Sequence, residues 1–109
     1  PAYTAPEVAV MLADSGARLL LVQSATEGVG RAAAGPLPGC ELLDVGGADW
    51  ARLVAADGAP TEPPTTSDTL ALLLFTAGTS GRPKGAMLTH GALRANIEML
   101  LSLSDPREE

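Results

Sequence analysis

The sequence holds a single cysteine, Cys40, which excludes an internal disulfide and any cysteine-rich zinc site and fits a reducing, cytoplasmic compartment. Basic residues are few as well: 7 Lys+Arg stand against 13 Asp+Glu, a formal charge of −6, and they form no cluster. Phosphate backbones are bound by clustered Lys and Arg, so nucleic acid is not an expected partner. Long apolar runs are missing. The longest, such as residues 70–75, are six residues, where a membrane span needs about 20. No basic stretch followed by an apolar one marks a secretory signal, and there is no initiator Met. The chain starts at Pro1 and stops just after a helix-like segment at 105–109, and it is expected to be a piece of something larger.

What is present is enough apolar material for a core. With 46% hydrophobic residues over 109 positions, the chain is one small folded domain or part of one, not a disordered segment. Thr4-Ala5-Pro6-Glu7 starts a helix: Thr4 caps, Glu7 follows three residues on as in a capping box, and Pro6 is tolerated in the first turn. Val8, Met11, Leu12 and Ser15 continue at helical spacing to Gly16, which ends it. Residues 18–23 read as a strand buried on both faces, 25–34 as a helix broken by Gly28 and Gly30, and 40–45 as a second short strand. Asp49 is placed to cap a helix carrying Trp50, Leu53 and Val54 on one face and ending near Gly58. Residues 1–58 are thus helix and strand units, and 59–68 form a Pro-rich connector.

The last third, 69–103, carries the chemistry. Residues 69–76 read as a buried strand, 77–83 as a Gly/Ser/Thr loop, 84–89 as a second short strand and 90–103 as a helix. In that helix Leu93, Ile97, Leu100 and Leu101 form a core-facing stripe, and Met87 and Met99 are packing residues rather than ligands. Between the strands, glycines let backbone N–H groups approach phosphate oxygens, hydroxyls donate to them, and a Lys supplies compact positive charge. The same composition suits an ordinary exposed connection with Arg82 and Lys84 simply solvated. A Walker A loop is excluded, because it needs Gly before its Lys and Ser or Thr after it, where Pro83 and Gly85 stand here.

The stretch Thr76-Ala77-Gly78-Thr79-Ser80-Gly81-Arg82-Pro83-Lys84-Gly85-Ala86, followed by Met87-Leu88-Thr89-His90, resembles the signature of the AMP-binding, adenylate-forming enzymes, [ST]-[SA]-G-[ST]-[ST]-G-x-P-K-G. That superfamily includes acyl-CoA synthetases, luciferases and the adenylation domains of nonribosomal peptide synthetases. Asp14-Ser15-Gly16-Ala17 and the apolar run to Val22 are also similar to the region preceding the signature in acyl-CoA synthetases. The resemblance is strong over residues 70–98 and looser before. It implies a three-layer α/β fold with a largely parallel sheet and flanking helices, of which this chain is a fragment of the large N-terminal domain. It also implies ATP, Mg2+ and coenzyme A, with a small-molecule carboxylate as substrate. The hydroxyls of Thr76, Thr79 and Ser80, the backbone of Gly78 and Gly81, and the Lys84 ammonium would grip the β- and γ-phosphates, with Ala77 standing where Ser is commoner.

The wording of the signature is most like fatty-acid or similar acyl-CoA ligases. An amino-acid-activating adenylation domain and a non-catalytic truncated binding module are the alternatives. Motifs for adenine, ribose, the magnesium-placing acid and the C-terminal-domain lysine have no match, so the 109 residues alone are expected to be inactive, and uncovered apolar faces to favour self-association. His90 is expected to cap or pack rather than act as a base. Cys40 reads as a small hydrophobe, and Asp44 and Asp49 as turn and cap residues rather than a metal pair.

Overall fold

The computed structural model describes residues 3–59, 61–76 and 81–103. They form two units, one of residues 3–59 with 81–83 and one of residues 61–76 with 84–103.

In the first unit, helix α1 (Ala5–Ser15) opens as its first residues require. The Thr4 backbone N–H and hydroxyl both donate to the Glu7 carboxylate at 2.7 Å. These two bonds, the backbone one first, hold the Glu7 carboxyl below its ordinary value. The helix closes at Gly16, in the left-handed region at φ 64°, and the Ala17 N–H reaches back to the Leu12 carbonyl. Strand β1 (Leu19–Val22) follows, then a single 3-10 turn, helix α2 (Glu27–Ala34) and strand β2 (Glu41–Asp44). β2 lies parallel to β1, in register from Leu19 opposite Glu41 to Val22 opposite Asp44.

Helix α2 runs unbroken through Gly28 and Gly30, contrary to the break expected there. Packing explains Gly30: a Cβ on it would lie 2.6 Å from Val22 Cγ1, 3.2 Å from Leu42 and 3.3 Å from Leu20. The helix therefore rests its backbone directly on β1 and β2. Leu20 and Val22 turn toward it, while Leu19 and Leu21 remain 49% exposed, so β1 is covered on one face rather than two. Leu12, Ala33 and Ala34 form the buried centre, with Val8, Leu37 and Cys40 packed around it. Alanines on α2 let α1 approach closely, and burying Leu12 contributes about 1.5–3 kcal/mol. Helix α3 (Ala48–Ala55) packs against β2. Its N-cap is Gly47, not Asp49, which lies in the first turn paired with Arg52; Leu53 and Val54 are exposed and the helix stops short of Gly58.

In the second unit, strands β3 (Leu70–Thr76) and β4 (Lys84–Thr89) lead into helix α4 (His90–Leu103), with the bounds of β4 and α4 as read from the sequence. Here the pairing is antiparallel, from Thr76 opposite Lys84 to Leu70 opposite Thr89, because a connection as short as 77–83 can only turn the chain back. The fold is thus α/β with a parallel pair, flanking helices and one antiparallel ribbon.

No described residue of this unit is buried. Leu70, Leu72 and Leu74 are exposed on one face of β3, and on α4 only Leu93 of the expected stripe is half-buried, with Ile97 57% and Leu101 66% exposed. A two-stranded ribbon and one helix are too small to enclose a core. The start of α4 is nevertheless firmly fixed. The Thr89 hydroxyl accepts from the Ala92 N–H at 3.2 Å, while the His90 and Gly91 N–H groups donate to the Thr69 and Ser67 carbonyls at 3.0 and 2.9 Å. Thr89 is therefore the cap, and the His90 side chain is exposed. The connector 59–68 contains no helix or strand among its described residues.

Candidate phosphate-binding site

The ribbon β3–β4 ends at the pair Thr76 and Lys84, the two limits of the glycine- and hydroxyl-rich loop. The antiparallel ladder sets these two residues directly opposite each other. The Thr76 hydroxyl donates to the Lys84 carbonyl at 3.4 Å, a long contact that leaves the oxygen's lone pairs open. Both residues are exposed, and the Lys84 ammonium has no acidic partner among the described residues. Gly85, next to it, faces Phe75 across the ladder. A Cβ there would lie 2.8 Å from Leu73 Cδ1 and 3.4 Å from the Phe75 ring, so the glycine after the lysine answers a steric need.

Of the seven residues expected to hold phosphate, the structure brings Thr76 and Lys84 together. Ala77, Gly78, Thr79 and Ser80 lie outside the described residues. Gly81 adopts φ 77°, a conformation a side chain would strain.

The two cations of the loop differ in state. In the first unit, Arg82 is not simply solvated: its Nη2 donates to both oxygens of Asp14, at 3.0 and 3.1 Å. Of the two, Lys84 is the cation without an acidic partner among the described residues. Asp14 is the residue that sequence reasoning missed; Asp14-Ser15-Gly16-Ala17 drew notice as a pattern, but nothing local pairs it with a residue 68 positions away.

The remaining candidates behave as structural residues. Asp44 accepts from the Gly46 N–H at 3.0 Å and from the Ser24 hydroxyl at 3.4 Å, closing the turn after β2. Cys40 packs against the first unit's core. No group of three His, Cys, Asp or Glu able to hold a metal exists among the described residues, and no helix among them is long and apolar enough to cross a membrane.

Comparison with known proteins bears on the family. The family model described as AMP-binding enzyme matches residues 1–108. A feruloyl-CoA synthase of Amycolatopsis sp is 43% identical over 101 residues, covering 92% of this chain and 19% of that protein. The 4-coumarate–CoA ligase 5 of Oryza sativa subsp. japonica is 33% identical over 113 residues, 97% of this chain and 20% of that protein. The phosphinothricin tripeptide synthetase PhsC of Streptomyces viridochromogenes is 36% identical over 116 residues, 98% of this chain and 10% of that protein. The chain therefore spans about a fifth or less of the length of these relatives. A match along nearly its whole length leads to one conclusion: the chain belongs to the AMP-binding family of adenylate-forming enzymes.

Proposed function

We propose that this chain supplies the triphosphate-gripping loop of an ATP-dependent acid–thiol ligase. In the reaction proposed, a carboxylate oxygen attacks the α-phosphorus of ATP, the bond to the bridging oxygen breaks, pyrophosphate leaves, and the acyl group then passes from AMP to the thiol of coenzyme A. The observation that carries the reading is the pair at the ribbon's end, an exposed threonine opposite a lysine with no acidic partner among the described residues, on either side of a loop rich in glycine and hydroxyls.

Each group has a physical task. Negative charge accumulates on the β- and γ-phosphates as pyrophosphate departs, and donors fixed there lower the barrier only if they strengthen as that charge grows. Lys84 supplies a full positive charge; Thr76, Thr79 and Ser80 supply hydroxyls, and Gly78 and Gly81 backbone N–H groups. Ala77 supplies only small bulk. Because the described residues contain no acidic cluster, Mg2+ would enter as the counterion of the nucleotide rather than on a ligand set of these residues.

The names of two relatives join a feruloyl or 4-coumarate group to CoA, which supports adding such aromatic carboxylates to the fatty acids suggested by the signature. The tripeptide synthetase supports a second reading, amino-acid activation. Carboxylate-dependent exchange of labelled pyrophosphate into ATP, measured on the full-length protein with ferulate, 4-coumarate, fatty acids and amino acids, separates them. Exchange with aromatic or fatty carboxylates followed by thioester formation with CoA is expected. Exchange with amino acids alone selects the second reading, and no exchange with any member would leave a non-catalytic binding module. Lys84→Ala should reduce the exchange by about 10²- to 10³-fold; an unchanged rate would refute the assigned grip.

A further inference from the structure

Only one of the loop's two cations has an acidic partner among the described residues. Arg82 lies two positions before Lys84, and its guanidinium spends one nitrogen on both oxygens of Asp14, at the C-terminal end of α1. It is flanked by Gly81 at φ 77° and by Pro83, whose ring fixes its own φ and keeps the preceding residue out of the helical region. Two successive residues are therefore restrained by different means, Arg82 by an ion pair to a distant helix and Pro83 by its pyrrolidine ring, after a glycine that permits the left-handed turn. Pro83 is joined directly to Lys84.

We infer that the Arg82–Asp14 ion pair is a strap that positions the returning limb of the loop, so that Arg82 is a positioning residue and not a phosphate ligand. The inference rests on the phosphate-binding reading of the loop. Asp14 favours this role electrostatically as well. A guanidinium neutralised by a carboxylate is a poor partner for phosphate. Holding the limb before the nucleotide arrives reduces the ordering that binding must accomplish. The pair is largely solvent-accessible, with side chains 68% and 42% exposed, so its effect is modest and salt-sensitive.

The test uses the full-length protein with Asp14→Ala, Arg82→Ala, the swapped pair Asp14→Arg with Arg82→Asp, and Lys84→Ala as a reference. The first readout needs no nucleotide: the NMR order parameters of the Gly81 and Arg82 backbone amides. Loss of either strap partner should lower them, and the swapped pair should restore them. The second readout is pyrophosphate exchange. Each single strap variant should raise the KM for ATP about two- to fivefold with kcat unchanged, the swap should bring KM back, and about 1 M salt should erase the difference. The strap is overturned if Asp14→Ala changes neither readout, or if Arg82→Ala weakens ATP far more than Asp14→Ala, which would make the guanidinium a phosphate ligand. If Lys84→Ala leaves ATP use intact, the phosphate reading fails instead, and the order parameters still decide the strap.

Discussion

Substituting the two glycines of α2 in turn puts the packing of the first unit to a quantitative test. At Gly28 a Cβ meets nothing within 4 Å, so Gly28→Ala should gain up to about 1 kcal/mol from helix propensity alone. At Gly30 the same methyl would arrive 2.6 Å from Val22 Cγ1. Valine is β-branched and stiff at χ1, and Val22 is only 6% exposed, so it cannot swing clear; Leu42 and Leu20 close the other sides at 3.2 and 3.3 Å. Overpacking of this kind costs about 1–3 kcal/mol, against a propensity gain of about 1 kcal/mol, for a net loss of about 1 kcal/mol. The two variants should therefore differ by about 2 kcal/mol, with opposite signs. Urea unfolding of the chain followed by the fluorescence of Trp50, its only tryptophan, on the helix that packs against β2, provides the measurement. With a slope near 1 kcal/mol per molar urea, the midpoints should lie about 2 M apart. A Gly30→Ala variant as stable as Gly28→Ala would show that α2 does not rest on the strands as described.

Three further outcomes are expected. The Glu7 carboxyl is held below its ordinary value by the Thr4 amide and hydroxyl, so its stabilisation is complete above the unfolded pKa and disappears as pH falls through the lower folded value; Glu7→Gln should flatten that part of the stability profile, and an unchanged acid limb would count against the capping box. Thr89→Ala removes the acceptor of the Ala92 N–H and should cost the second unit about 1 kcal/mol, seen as lost helical circular dichroism at a lower urea concentration. Calorimetry of ATP on the 109-residue chain alone should give an affinity weaker than micromolar, because phosphate contacts without base and ribose contacts offer little against the entropy of association; tight binding would contradict this.

Much of the local structure was legible because its causes are local. Thr4 and Glu7, Gly16, and the change from strand to helix at Thr89 and His90 each set an element end within a few residues, and those ends lie where the sequence places them. Strand exposure was not legible. An apolar run such as Leu19 to Val22 reads alike whether one face is covered or two, and only the position of α2 decides. Gly30 misled for a related reason: a glycine in a helix pattern suggests a break until the strands beneath it are known. In the candidate site, the residue types and their order carried the phosphate reading, and the ribbon added the opposition of Thr76 and Lys84. The Arg82–Asp14 contact needed the fold, since ion pairs across 68 positions leave no periodic trace.

The start of α4 has one further implication. Many nucleotide cradles rest the phosphates on the positive pole of a helix, where free amides converge. Here the His90, Gly91 and Ala92 amides are already taken, by the Thr69 and Ser67 carbonyls from the turn before β3 and by the Thr89 hydroxyl. On the function proposed above, what this chain offers a triphosphate is then Lys84 and the residues between the two strands, a matter of loop chemistry rather than of helix polarity.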